Sequence, residues 1–283
     1  MSGEAGLGED SAAASAEDRP THRHIDTENP HPARRYNYWL GGKDNFAVDR
    51  QSGDEIESFF PTVRLAALEN RAFMRRAVTF MAKEAGIRQF LDIGTGIPAP
   101  DNTHEVAQAI APESRVVYVD NDPIVMSHAR ALLQGSPLGA TAYIEADLRD
   151  YERILDHPTL RDTLDLTQPV GLLLVAILHF VGPQDDAHRI VARLADALPS
   201  GSHVVISHAT ADFADPALVA ASNTPRPPAG MYTRSKPELA ALLAGLTLVE
   251  PGIVGTVDWR SENESQPRPT AQAGGLYGAV AYK

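Results

Sequence analysis

The chain has 283 residues, 43% of them hydrophobic, which suffices for one α/β domain with an added segment. Its net charge of -12 argues against a broad phosphate-binding surface, so we expect no nucleic-acid partner. The absence of cysteine excludes disulfide bonds, thiolate metal sites and a cysteine nucleophile.

The N-terminal part divides into a polar tail and an aromatic-rich stretch. Residues 1–29 lack apolar periodicity, and we expect a disordered tail because they bury too little surface to offset the entropy of ordering. The tail does not resemble a signal peptide, and no apolar run is long enough to span a bilayer, which predicts a cytoplasmic protein without a membrane partner.

Tyr36, Tyr38 and Trp39, which follow the tail, are apolar enough to need a packing partner. Helical spacing of apolar residues from Pro61 to Ala85 predicts a long helix, and with it an N-terminal helical cap over residues 30–86.

From residue 87 onward, predicted strands and helices alternate. The strands are expected at 88–93, 115–119, 141–145, 170–177, 203–207, 246–249 and 276–282. The helices are expected at 103–110, 124–133, 185–198 and 235–243. This rhythm predicts a doubly wound α/β domain over residues 87–283, with a mostly parallel sheet and a closing antiparallel pair.

A glycine-rich turn, LDIGTG at residues 91–96, follows the first predicted strand. Its glycines allow a sharp turn and a close approach of the backbone to a ligand. Asp120 ends the second strand, where a carboxylate can accept hydrogen bonds from ribose hydroxyls, and Asp147 follows the third, where it could bind an adenine amino group. Each acid alone could instead be a helix cap or a turn residue. The ordered set of Asp92, Asp120 and Asp147 after successive strands favours a nucleotide-like ligand.

This pattern, with the ADL triplet at residues 146–148, resembles the class I methyltransferases that depend on S-adenosylmethionine (SAM). The resemblance implies SAM as cofactor and a seven-stranded sheet of order 3-2-1-4-5-7-6. The stretches RYNYWLGGKDN at 35–45, NTHE at 102–105 and WR at 259–260 are similar to an actinobacterial family of such enzymes whose acceptor is unknown. The predicted cofactor-binding residues are Asp92, Gly94, Thr95, Gly96, Asp120, Asn121, Asp147, Leu148, Ala176 and Tyr38.

An NAD-dependent oxidoreductase is the rival interpretation of the glycine turn. The spacing of Gly94 and Gly96 and the position of Asp120 also match a dinucleotide fingerprint. However, Pro98 interrupts the helix whose N-terminus should meet a pyrophosphate. Asp92 is tolerable beside the sulfonium cation of SAM and unfavourable beside a pyrophosphate.

The acceptor side offers fewer signals. His179 follows the fourth strand and could be a base near the transferred methyl group, or a histidine packed against a strand end. Tyr38 could contact the sulfonium through its ring, or could belong to an arm held by ordinary packing. The sequence predicts a methyltransferase acting on a small molecule, and a non-catalytic SAM-binding regulatory protein is the alternative. His22, His24 and His31 are weak evidence for a metal, and we expect none.

Overall fold

One mixed sheet lies at the centre of the chain, of which this computed structural model describes residues 25–132, 135–214 and 230–283. Its strands are β1 (Gln89–Ile93), β2 (Arg115–Asp120), β3 (Ala140–Glu145), β4 (Gly171–Val175), β5 (His203–Ala209), β6 (Thr247–Leu248), β7 (Val254–Gly255) and β8 (Leu276–Tyr282). The order is β3-β2-β1-β4-β5-β8-β6, and β7 also pairs with β8. Strands β1 to β5 are parallel, whereas β8 is antiparallel to its neighbours. The predicted order is confirmed, with β8 as the seventh strand and the two-residue β7 as an addition.

Helices surround this sheet and precede it. They are α1 (Pro32–Trp39), α2 (Ala47–Phe59), α3 (Val63–Lys83), α4 (Thr103–Ile110), α5 (Pro123–Leu132), α6 (Tyr151–Asp156), α7 (Pro158–Thr163), α8 (Ala187–Asp196), α9 (Lys236–Leu242) and α10 (Ala271–Gly274). The predicted helices are found within about two residues of their expected ends. The sequence did not predict α1, α2, α6, α7 and α10, and α6, α7 and α10, of six residues or fewer, are too short to show a clear helical period.

The sheet separates two hydrophobic clusters, as alternation along its strands requires. One contains Leu91 with side chains from α6, α7, α8 and α9, and the other contains Phe90 with side chains from α3 and α4. Trp259 is fully buried in the second cluster, 5.6 Å from the ring of Phe73. Arg76 of α3 donates from Nε to the carbonyl of Trp259 at 2.8 Å. Trp259 is therefore a structural plug that joins α3 to the C-terminal part of the chain.

Helices α1 and α2 pack on the N-terminal half of α3 through a smaller cluster that includes Trp39, Ile56 and Val63. Ion pairs between Arg34 and Asp122 (3.1 Å) and between Arg34 and Asp49 (3.6 Å) join α1 to the loop after β2 and to α2. The division into a cap over 30–86 and a domain over 87–283 stays a prediction. The predicted tail lies outside the described residues up to residue 24, and so do residues 215–229 of the loop expected between β5 and α9.

Candidate active site

The carboxyl ends of β1, β2, β3 and β4 form the floor of a cavity of about 1430 Å³, and α1 and α3 cover it. Typical small-molecule sites occupy about 300–1,000 Å³, so this cavity is larger than the usual range. Of the residues predicted to bind a cofactor or act in catalysis, all but Tyr38 line it. The carboxyl ends of parallel strands meet at one edge, which explains why residues distant in sequence converge there.

The glycine turn after β1 adopts a backbone that glycine favours. Gly94 and Gly96 have φ values of 76° and 71°, in the left-handed region. A Cβ at Gly94 would lie 2.6 Å from Cγ1 of Ile177, so the turn packs tightly under the loop after β4. A Cβ at Gly96 would meet nothing within 4 Å, because Gly96 borders the open cavity. Glycine therefore leaves open space at this point of the cavity lining.

Asp120 is fixed at the end of β2 by two backbone amides. Its Oδ2 accepts from the N–H of Gly96 at 2.8 Å, and its Oδ1 accepts from that of Asp122 at 3.0 Å. Burial raises the pKa of Asp120 although both amides act against this shift. A carboxylate has about four acceptor positions, so these amides leave two positions of Asp120 unused.

Asp92, the last-but-one residue of β1, is the second buried acid of the cavity. Its Oδ2 accepts from Oγ1 of Thr103, at the start of α4, at 2.6 Å. Burial raises the pKa of Asp92 to about 6, while the hydrogen bond from Thr103 and the charge of Arg71 oppose the shift. A cation bound nearby would relieve this burial cost because it favours the ionised carboxylate.

Asp147 has different surroundings and is already paired with a cation. Its carboxylate accepts from the guanidinium of Arg149 at 2.7 and 2.8 Å and from the backbone N–H of that residue at 2.9 Å. Asn121 Nδ2 donates to it as well, at 3.0 Å. The hydrogen bonds from Arg149 lower the pKa of Asp147 to about 2. Asp147 thus caps a short turn of 3₁₀ helix, which is the alternative role that the sequence left open for it. It also lines the cavity.

The geometry of helix α1 decides which of its two tyrosines faces the cavity. Tyr36 lines the cavity, whereas Tyr38 does not: its hydroxyl donates to Asp54 at 2.7 Å and its ring lies 4.4 Å from the guanidinium carbon of Arg64. Residues two apart on a helix point to nearly opposite sides. Tyr38 is therefore not included among the proposed cofactor ligands, and Tyr36 stands where an aromatic contact was expected.

His179, just after β4, has 4% of its surface exposed and lines the cavity. Its Nδ1 has no hydrogen-bond partner among the described residues. Burial holds the pKa of His179 well below its ordinary value, and nearby positive groups add to this effect. His208 lies outside the cavity lining, with Nδ1 2.7 Å from the carbonyl of Ala209. Burial lowers the pKa of His208 to about 4.

Ala176 lies between β4 and His179 and has a φ of 54°, which is unusual for a residue with a side chain. Its N–H donates to Oγ of Ser207 at 2.9 Å, which holds this conformation. The backbone thereby turns Ile177 over Gly94 and places His179 at the cavity.

Sequence reasoning missed Asn70, which is 1% exposed and lines the cavity. It lies on the buried stripe of α3 together with Val63, Ala67 and Met74. A polar residue in an otherwise apolar stripe is the signal that could have identified it, because buried polar side chains need hydrogen-bond partners.

Two absences concern only residues 25–132, 135–214 and 230–283. Within these ranges, no three or more histidine, aspartate or glutamate side chains are grouped so that they could hold a metal ion. No helix there is both long and apolar enough to cross a bilayer.

Comparison with known proteins adds independent evidence. Residues 18–283 match a family of S-adenosyl methyltransferases. The structure is similar to that of a DUF574 family protein from Streptomyces avermitilis, with 49% identity, a TM-score of 0.83 and coverage of 92% of this chain and 100% of the other. A protein from Thermobifida fusca, named as a candidate methyltransferase, is 38% identical with a TM-score of 0.82, over 95% of this chain and 99% of the other. No curated protein matches. The chain thus belongs to this S-adenosyl methyltransferase family, and SAM is its cofactor.

Proposed function

We propose that the chain transfers a methyl group from SAM to a small molecule bound between the carboxyl edge of the sheet and helices α1 and α3. The size of the cavity carries this proposal, because about 1430 Å³ exceeds what one small ligand fills. A regulatory protein that only senses SAM would need no second compartment. The alternative of a non-catalytic SAM-binding protein therefore has less support.

The floor of the cavity suits SAM. Asp120 keeps acceptor positions for the ribose hydroxyls, and Gly96 leaves open space beside it. Asp92 offers a buried carboxylate whose ionisation a neighbouring cation would favour. We assign the cofactor to this floor, with the other predicted residues Gly94, Thr95, Asn121, Asp147, Leu148 and Ala176 around it. When bound, SAM supplies a methyl group already activated by its sulfonium.

The remaining part of the cavity suits a mostly apolar acceptor. Its walls are largely aromatic and aliphatic, and they include Trp39, Ile56, Phe60, Val63, Phe213 and Tyr232. His179 supplies a polar group there. Because its pKa lies well below the ordinary value, the ring is neutral at physiological pH and can accept a hydrogen bond from a hydroxyl or amine. We propose that His179 orients this group of the acceptor by accepting its hydrogen bond.

Calorimetric titration tests the cofactor part of the proposal. The ligands are SAM, its demethylated product S-adenosylhomocysteine (SAH) and, as a control, NAD. We expect SAM and SAH to bind with micromolar affinity, NAD not to bind, and Asp120→Ala to abolish binding. Binding of NAD without SAM would contradict the proposal.

Transfer of a labelled methyl group tests the acceptor part. The protein is incubated with methyl-deuterated SAM and an extract of Streptomyces avermitilis, and the extract is then separated into small molecules, protein and nucleic acid. We expect label in the small-molecule fraction, lost in Asp120→Ala and strongly reduced in His179→Ala. Label in protein or nucleic acid would refute a small acceptor. Intact SAM binding with no transfer to any fraction would favour the regulatory alternative.

A further inference from the structure

Asn70 presents a buried acceptor atom that no described residue satisfies. Its side chain is 1% exposed and lines the cavity from the α3 side. Oδ1 of Asn70 has no hydrogen-bond partner, although it is removed from solvent. An unsatisfied buried acceptor costs about 1–3 kcal/mol, so a donor belongs beside it.

The orientation of this amide is fixed by Tyr36 of α1. The Tyr36 hydroxyl donates to the carbonyl of Ala67 at 2.9 Å, and a hydroxyl has only one proton to give. The contact of 3.0 Å between Tyr36 and Asn70 must therefore use the Nδ2 of Asn70 as donor. With Nδ2 committed to Tyr36, Oδ1 is left as the free end of the amide, available to a donor on a ligand in the cavity.

The position of Asn70 identifies which part of the ligand this is. One helical turn further along α3, Sδ of Met74 lies 3.8 Å from Thr103, whose hydroxyl donates to Asp92 of β1. Helix α3 packs against β4, β5 and β8. In the strand order these three lie on the other side of β1 from β2 and β3. A nucleoside whose ribose is at Asp120 and whose base is toward β3 extends its other end toward β1, β4 and α3. In SAM and SAH, that end is the amino acid.

We propose that Oδ1 of Asn70 binds the α-ammonium group of the methionine portion of SAM and of the corresponding portion of SAH, with Tyr36 as the positioning residue that holds the amide. An ammonium group has three donors, and a hydrogen bond from a charged donor is about twice as strong as a neutral one. The buried carboxylate of Asp92 on the adjacent strand end attracts a cation, and the charge of Arg71, which also lines the cavity, acts against this attraction. The N-terminal helices would then complete the cofactor site.

This inference rests on the proposed function in one respect, namely that SAM or SAH is the ligand in the cavity. Binding measurements with two ligands and two protein variants test it without any catalytic step. Calorimetry compares SAH with its deamino analogue, in which hydrogen replaces the α-ammonium, for the wild type and Asn70→Ala. We expect the wild type to prefer SAH, and Asn70→Ala to reduce this preference roughly tenfold or more, with little change for the deamino analogue. Asn45→Ala is the matched control, because Asn45 belongs to the same N-terminal region but lies outside the cavity lining.

The possible outcomes separate this inference from the proposed function. Equal weakening of both ligands, or no weakening of either, would overturn the role of Asn70 while leaving the cofactor assignment intact. An acceptor hydroxyl as the true partner would appear as reduced methyl transfer with unchanged SAH binding, which also overturns it. If Asn70→Ala does not fold, Tyr36→Phe is measured instead. It removes the hydroxyl that holds the Asn70 amide, so it should also reduce the preference for SAH over the deamino analogue. Failure of the wild type to bind SAH would refute both.

Discussion

Replacement of Asp92 by asparagine should stabilise the protein and weaken its affinity for SAM. Burial raises the pKa of Asp92 from 3.8 to about 6, so ionisation of this group costs folding free energy at neutral pH. A shift of about two units at 1.36 kcal/mol per unit is an upper value of about 3 kcal/mol. Asparagine removes the charge, and its carbonyl can still accept from Thr103, which now donates at 2.6 Å.

The pH dependence makes this prediction specific. An acid whose pKa is raised on folding keeps its proton longer in the folded state than in the unfolded state. The cost is therefore absent below about pH 4, grows up to about pH 6 and is complete above it. The stability gain of Asp92→Asn should be largest at about pH 7.5 and about half as large at pH 5. The wild-type affinity for SAM should fall as the pH drops through about 6, because protonated Asp92 no longer attracts a cation.

Thermal unfolding of the ligand-free protein measures the stability change. For a chain of this size, a gain of 2–3 kcal/mol corresponds to a rise in Tm of about 4–10 °C. The exposed Asp162→Asn is the matched control and should change little at either pH. Calorimetry with SAM at neutral pH should show a weaker complex for Asp92→Asn. A lower Tm, or a gain independent of pH, would refute the assignment of a buried carboxylate with a raised pKa.

Three further substitutions test the framework of the site by chemical denaturation. Gly94→Ala should lower the free energy of unfolding by about 2–4 kcal/mol, because φ is positive and the new Cβ would meet Ile177. The control Gly86→Ala has a similar φ but open space around the new Cβ, so it should lower the free energy of unfolding by only about 1–2 kcal/mol. Equal costs would contradict the packing argument. Trp259→Ala should cost about 3–5 kcal/mol, and a loss below about 1 kcal/mol would rule out its role as a plug. Asp122→Ala should cost roughly 3 kcal/mol because it leaves the buried Arg34 with Asp49, at 3.6 Å, as its remaining carboxylate, besides the carbonyl of Asp26. Unchanged stability would show that this pair does not hold α1.

Much of the candidate site could be predicted because it follows the ends of parallel strands. Once LDIGTG, Asp120 and Asp147 are placed after successive strands, the topology brings them to one edge without knowledge of side-chain packing. The predicted role of Asp147 remains a prediction, since the structure pairs it with Arg149 and Asn121, which no strand pattern indicates. The ion pair arises from the three-residue 3₁₀ turn that Asp147 caps. Such short turns have no hydrophobic period from which they could be predicted.

The sequence by itself determined the alternation of strands and helices and the glycine turn, because hydrophobic periodicity is a local property of the chain. The strand order and the family were expected from the resemblance of its motifs to known methyltransferases. Tertiary structure decided which side chains face the cavity. Tyr36 and Tyr38 are equivalent in the sequence, and only the packing of α1 on α3 turns one inward and the other toward Arg64. Likewise, Arg76 and Trp259 meet across a separation of 183 residues. Such contacts depend on how helices dock on the finished sheet, and no pattern within either segment encodes them alone.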